Sequence, residues 1–120
     1  MRMWMTDPKI MCRQHLLGEH LEVHMFISTI LSGKKITGFI NNNLLEPHSL
    51  STRHFDLTEE MERRGYNHKT PVVDGATFLI CMLLPHDLAF HDINQNQALI
   101  DLLDRCPECA KRFNKGELNG

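Results

Sequence analysis

Two glutamates and a histidine near the start of the chain have the spacing of one face of a helix. His15, Glu19 and Glu22 follow one another at intervals of four and three residues, which places them on one stripe of an α-helix. Their neighbours are largely apolar, and a buried carboxylate is costly unless it is paired. In one interpretation a glutamate bonds to His15, to Arg2 or to backbone amides near the N-terminus. In the other, the stripe lines a cleft where a desolvated carboxylate acts as acid or base.

A second polar stripe of the same helix carries potential metal ligands. His20 and His24 are four residues apart, a spacing that suits two ligands of one metal, although the surrounding sequence is not His-Glu-x-x-His. We expect these histidines to be partly solvated or to contact phosphate rather than to bind a metal.

The cysteines offer another metal-site hypothesis. Cys106 and Cys109 form a Cys-x-x-Cys pair, which is half of a zinc site. A histidine or one of the remaining cysteines, Cys12 and Cys81, would have to complete it. The pair could equally be a redox pair or a helix terminus, and four scattered cysteines do not indicate a disulfide framework.

The helix that positions the stripe is the longest expected element. Asp7 and Pro8 are typical of a helix start and Gly33 of a helix end, which predicts a helix over roughly residues 8–32. With a helical rotation of about 100° per residue, the apolar side chains are distributed over nearly the whole circumference of this helix, as in a helix buried at the centre of a fold. We therefore expect the other helices to pack around it.

A second helix is expected to begin at Ser49 or Ser51 and to end at Gly65. Its inward residues are predicted to be Leu50, Leu57 and Met61.

Three further helical segments follow. The apolar run 76–84 is interpreted as a buried helix because no partner strand is visible elsewhere. A helix begins at Asp92 or Asn94, and Pro107 breaks it before a short tail helix ending near Phe113. Its inward residues are predicted to be Leu99, Leu102 and Leu103. The predicted fold class is all-α, a small single-domain bundle around the long N-terminal helix.

Length and composition agree with one domain over residues 1–120. The chain is 42% hydrophobic, and charges interrupt its apolar runs well before the roughly 20 residues that a membrane span needs. No apolar signal-peptide segment follows the first five residues. We expect a cytoplasmic monomer.

Charge is distributed unevenly along the chain. The formal net charge is −2, but residues 1–70 hold nine Lys and Arg against eight Asp and Glu, whereas residues 71–120 hold four against seven. Because binding to phosphates requires cationic side chains, any phosphate-binding face should lie on the first part.

Residues 14–22, with the sequence Gln-His-Leu-Leu-Gly-Glu-His-Leu-Glu, resemble a run in the endonuclease V pyrimidine-dimer glycosylases. The likeness covers roughly residues 1–70. Three further stretches occur in the same order as in that family: Arg2 beside the N-terminus, Gly33-Lys34-Lys35-Ile36 with Phe39, and Arg63-Arg64-Gly65-Tyr66-Asn67 with Lys69.

The resemblance implies an all-α DNA glycosylase with associated abasic-site (AP) lyase activity, acting on double-stranded DNA with a damaged or abasic site and needing no metal or cofactor. In that family a terminal α-amine attacks C1′ of the damaged nucleotide and forms an imine. By position, Met1 matches this nucleophile and Glu22 the catalytic glutamate, with Glu19 in a supporting role. The residues matching those around the site and the DNA backbone are Arg2, Gln14 and His15.

The sequence departs from the family at two phosphate-binding arginines, whose places are taken by Leu21 and Met25. The substitute phosphate contacts are expected to be His24, Lys34, Lys35 and Arg64.

A terminal amine is a chemically sensible nucleophile. Initiator removal normally requires a small second residue, so Met1 should be retained before Arg2. An α-amine has a pKa of about 7.8, against about 10.4 for lysine, so much more of it is free base near neutral pH. Two alternatives remain open: a metal-dependent hydrolase using His20 and His24 with a carboxylate, and a non-catalytic nucleic-acid-binding module.

Overall fold

A computed structural model of the chain describes residues 1–67 and 75–119, and the side chains up to residue 116. Within these ranges the structure is helical with no strand, so the prediction of an all-α fold is confirmed. No described helix is long and apolar enough to cross a membrane. Lys69, part of the family resemblance, lies outside the described residues.

The α-helices are α1 Arg13–Leu31, α2 Thr37–Asn41, α3 Leu50–Arg63, α4 Ala76–Leu83, α5 His86–Ala89, α6 Gln95–Arg105 and α7 Pro107–Asn119, and two 3₁₀ turns span Pro8–Ile10 and Pro47–Ser49.

The expected long N-terminal helix is divided in two. Asp7 caps only the 3₁₀ turn, by accepting a hydrogen bond from the Lys9 amide at 3.0 Å. The chain is extended at Met11, and α1 begins after Cys12, whose Sγ accepts from the His15 amide at 3.5 Å. The prediction of one helix from residue 8 was therefore wrong, because a second capping residue restarts the helix. Its end was placed correctly, since Gly33 follows with a φ of +79°.

Helix α1 is buried on one side only. The side chains that it buries are those of Leu16, Glu19, Val23, Phe26 and Ile30, and the helix packs mainly against α3. The expectation of burial all round was wrong, since Leu21 is 60% exposed and Met25 is also exposed. Three packed positions per two turns suffice to bury one face of a helix.

Helix α3 matches the expectation closely. It ends before Gly65, which has a φ of +83°, and Leu50, Leu57 and Met61 are buried. Ser49 precedes the helix, but its hydroxyl donates to Glu46 rather than capping the helix.

The later helices were predicted in the right places, with two corrections. Helix α4 is formed, but it buries only Ala76 and Ile80, and Met82 is 69% exposed. Helix α6 begins after Asn94, which caps it as expected, and α7 continues past Phe113. Of the residues expected to face inward on α6, Leu102 is buried, and Leu99 and Leu103 are half-buried.

The first six residues form no helix and lie across the bundle. The Met3 amide donates to the Leu44 carbonyl at 2.7 Å, and the side chains of Met3 and Trp4 are buried in the core. These anchors hold the start of the chain beside the N-terminal half of α1.

Candidate active site

A cavity of about 750 Å³ opens where the start of the chain meets α1 and α6. This volume is in the range of small-molecule sites. Its lining residues include Met1, Arg2, Gln14, His15, Glu19 and Glu22 from the sequence-based assignment, and Trp4, Gly18, Asn42, Leu44, Asp101 and Arg105 in addition.

Met1 and Glu22 lie at the same end of this cavity. The amide of Arg2 donates a hydrogen bond to Glu22 Oε2 at 3.3 Å. The α-nitrogen of Met1 is three bonds from that amide nitrogen, so it lies within about 7 Å of the carboxylate oxygen. Met1 is 37% exposed as a whole residue and lines the open cavity.

Arg2 is a buried cation with few partners. Only 9% of the residue is exposed, and its guanidinium lies over the Trp4 ring at 3.7 Å from the centroid. Its one ion pair among the described residues is with Asp101, at 3.8 Å, and the same residues offer its Nε and Nη2 no hydrogen-bond partner. Burial lowers the pKa of Arg2, partly offset by Asp101. A buried cation with free donors is suited to an anionic ligand.

Glu19 belongs to a structural network rather than to the open part of the cavity. Its carboxylate accepts two hydrogen bonds from Arg53 on α3, at 2.5 and 2.9 Å, and both side chains are buried. Arg53 also donates to the Thr6 carbonyl at 2.6 Å. The pair therefore ties α1 and α3 to the segment that carries Met1.

His15 lines the cavity but is engaged on its other side. Its Nδ1 lies 3.2 Å from Cys12 Sγ and 3.8 Å from Cys109 Sγ. The imidazole meets the Trp4 ring edge to face, with 5.7 Å between the centroids. The ring is thus positioned by the cysteines and in turn supports Trp4.

The expected phosphate contacts are not gathered at the cavity. His24 packs with His20 on a different stripe of α1 and with His54 of α3, with ring centroids 4.7 to 4.9 Å apart. Lys34 and Lys35 are exposed just after the end of α1, and that end lies about 14 Å along the helix axis from Glu22.

Arg64 makes structural contacts away from the cavity. Its side chain is largely buried, pairs with Glu60 at 2.7 Å, and donates to the carbonyls of Pro8 at 3.1 Å and Met11 at 2.7 Å. These bonds hold α3 against the segment before α1, and the assignment of Arg64 to phosphate binding stays a prediction.

Several residues of the site were not found from the sequence. Arg53 had a usable signal, because it lies three residues after Leu50 and four before Leu57, on the buried face of α3. No sequence signal pointed to Asp101 and Arg105, since they lie on α6, beyond the stretch that resembles a known family.

Comparison with known proteins identifies the chain at the level of its family. Neither the curated proteins nor the solved structures contain a match to it. The sequence model for pyrimidine dimer DNA glycosylases matches residues 1–74. The matched range is more than half of the chain and includes Met1, Arg2 and Glu22. The chain belongs to the pyrimidine dimer DNA glycosylase family.

Proposed function

We propose that the protein is a DNA glycosylase with associated AP lyase activity of the endonuclease V type, acting on pyrimidine dimers in double-stranded DNA. The α-amine of Met1 is the nucleophile, and Glu22 is the catalytic carboxylate. The observation that carries this proposal is the shared position of Met1 and Glu22 in one solvent-accessible cavity, beside a buried cation with free donors.

The first chemical step exchanges one bond at C1′ for another. The lone pair of the Met1 amine attacks C1′, and the damaged base leaves with the electrons of the glycosidic bond. Loss of a proton from the amine and opening of the sugar ring give an imine between the Met1 nitrogen and C1′. Glu22 is within reach to stabilise the positive charge that develops on the sugar and to accept a proton.

The second step breaks the DNA strand. A base removes a proton from C2′, the electrons form the C1′–C2′ enamine and then the C2′–C3′ double bond, and the 3′-phosphate leaves with the C3′–O electrons. Water then hydrolyses the imine and restores the Met1 amine. Glu22 serves as the base because, of the three carboxylates that line the cavity, Glu19 pairs with Arg53 and Asp101 with Arg2.

Arg2 is proposed to bind a phosphate next to the damaged nucleotide. Its Nε and Nη2 are buried and have no hydrogen-bond partner among the described residues. Once they are uncovered, this planar pair of donors has the geometry that suits a phosphate. The nucleotide must leave the base stack to bring C1′ to the amine. Lys34 and Lys35, exposed just after α1, are proposed to contact phosphates farther along the strand.

The histidine cluster is not proposed as a catalytic centre. His20 and His24 on α1 and His54 on α3 hold ring nitrogens close enough for a metal, but none of the three lines the cavity beside Met1.

Borohydride trapping tests the proposal. A duplex containing one abasic site is incubated with the protein and sodium borohydride, which reduces the imine to a stable covalent link. The native chain is expected to form the adduct, and a chain extended at the N-terminus is expected not to. The matched control is the extended chain after proteolysis that exposes Met1 again, which should regain trapping. Equal trapping by the extended chain would overturn the assignment of Met1.

A further inference from the structure

Four potential metal ligands from the two ends of the chain meet at one point. Cys12 caps α1 and His15 lies in its first turn, while Cys106 precedes α7 and Cys109 lies in its first turn. One ligand atom from each of these residues lies within 4.8 Å of all the others. Two short motifs, Cys-x-x-His and Cys-x-x-Cys, are thus brought together from positions about 94 residues apart in the chain.

We propose that Cys12, His15, Cys106 and Cys109 bind one zinc ion. Tetrahedral zinc, with bonds of about 2.3 Å to sulfur and about 2.0 Å to nitrogen, separates two sulfurs by about 3.8 Å and a sulfur from a nitrogen by about 3.5 Å. Here Cys12 Sγ and Cys106 Sγ are 3.8 Å apart. The Nδ1 of His15 lies 3.2 Å from Cys12 Sγ and 3.8 Å from Cys109 Sγ. These three separations are within about 0.3 Å of the values for tetrahedral zinc, and all four ligand atoms lie within 4.8 Å of one another.

Backbone amides point at the sulfurs, as they do in zinc knuckles. The Cys12 amide donates to Cys109 Sγ at 3.2 Å, the Cys109 amide to Cys106 Sγ at 3.4 Å, and the His15 amide to Cys12 Sγ at 3.5 Å. Such bonds stabilise thiolates, which are the form that binds a metal. A set of three cysteines and one histidine with no open position is typical of a structural zinc site.

A disulfide explains the cluster less well. To form a disulfide, Cys12 Sγ and Cys106 Sγ, which are 3.8 Å apart, would have to approach to about 2.05 Å. All of these cysteines are free. One disulfide would also leave the remaining thiol and the histidine unexplained.

The zinc site would stabilise the cavity without taking part in the reaction. It would fix α7, which lies outside the range matched to the family, onto the start of α1. Through His15 it would hold Trp4, whose ring lies against the Arg2 guanidinium. The proposal stands independently of the proposed function, and it replaces the expectations that the chain needs no metal and that His15 contacts DNA.

Metal content tests the proposal directly. Protein purified from zinc-supplemented cells without chelator is expected to hold about one zinc per chain. Cys109→Ser should hold less than about a tenth of that amount, whereas Cys109→His, which supplies another zinc ligand, should retain most of it. His20→Gln is the control for the separate histidine cluster and should leave the zinc content unchanged. Full zinc in Cys109→Ser, or loss of zinc in His20→Gln, would overturn the assignment.

Cobalt provides a second measurement that needs no variant. The native chain is stripped of metal under reducing conditions and reloaded with Co²⁺. Three thiolate ligands predict strong sulfur-to-cobalt charge-transfer absorption in the near ultraviolet and the intense visible bands of tetrahedral cobalt. A weak octahedral spectrum without charge-transfer absorption would contradict the site, even if the serine variant proved too unstable to purify.

Discussion

The backbone amide of Arg2 donates a hydrogen bond to the Glu22 side chain at 3.3 Å. This contact fixes the first peptide of the chain to the third turn of α1, so the amine of Met1 and the carboxylate share one cavity. The buried Met3 and Trp4 side chains anchor the same segment. The bundle thus holds a chain terminus, ordinarily a mobile part of a protein, beside a carboxylate.

Replacement of Glu22 by glutamine should abolish catalysis while preserving the fold. Glutamine keeps an oxygen that can accept from the Arg2 amide, but it can neither take a proton nor stabilise a cation. We expect strand cleavage at an abasic site to fall by about 10²–10⁴-fold, measured by denaturing electrophoresis of a labelled duplex.

Glu59→Gln is the matched control, because Glu59 is exposed on α3 and its replacement makes the same change of charge. Comparable cleavage by Glu22→Gln and Glu59→Gln would exclude Glu22 as the catalytic carboxylate.

Replacement of Arg2 by glutamine should weaken DNA binding and reduce the dependence of the affinity on salt concentration. Loss of one phosphate contact should reduce the slope of log affinity against log salt concentration by about one. Fluorescence anisotropy with an abasic duplex at several salt concentrations measures this slope. Glutamine is large enough for Met1 to be retained.

The control for Arg2 is Lys111→Gln, which removes one positive charge from an exposed position on α7. An unchanged slope in Arg2→Gln, or an equal change in Lys111→Gln, would contradict a phosphate contact at Arg2.

The ion pair of Glu19 with Arg53 should be a major contribution to stability. Glu19→Gln leaves the buried guanidinium without its counter-charge, and we expect the free energy of unfolding to fall by about 3–5 kcal/mol. Urea denaturation followed by circular dichroism measures the change.

A double-mutant cycle separates the Glu19–Arg53 interaction from the cost of each substitution. The double variant Glu19→Gln/Arg53→Met should be less destabilised than the sum of the two single variants. Additive losses would mean that the two side chains do not interact in solution.

Glu60 should give the protein an acid-sensitive contribution to stability. Burial alone would raise the pKa of Glu60, but hydrogen bonds from Arg63 and Arg64 lower it below its ordinary value of 4.5. Because the folded-state pKa is depressed, this stabilisation is fully present above about pH 4.5 and is lost as the pH falls further. Glu60→Gln should therefore be destabilised at pH 7, and its difference from the native protein should shrink below pH 4.5.

Unfolding free energies measured between pH 7 and pH 3 check the prediction for Glu60, with the exposed Glu62→Gln as control. A difference between native protein and Glu60→Gln that stays constant over this range would contradict it.

The sequence predicted those features that depend on local spacing. The stripe of His15, Glu19 and Glu22 and the ends of α1 and α3 follow from helical periodicity and from the glycines that terminate helices. The restart of the helix at Cys12 could not be predicted in the same way, because Asp7 and Pro8 already formed a complete start signal.

The missed features depend on contacts between distant parts of the chain. The partner of Glu19 is Arg53, 34 residues away. Helical periodicity predicts which face of α3 points inward, but not which residue of α1 that face contacts. For the pair Cys106 and Cys109 the sequence left half of a zinc site, a redox pair and a helix terminus open, and only the packing of α7 against the start of the chain brings Cys12 and His15 beside it.

The most direct test is to locate the covalent bond in the borohydride-trapped adduct. The adduct formed with an abasic duplex is digested with nuclease and protease, and the peptide carrying the sugar remnant is sequenced by tandem mass spectrometry. The account predicts the remnant on the α-nitrogen of Met1. A remnant on the side chain of Lys34, Lys35 or any other lysine would contradict it.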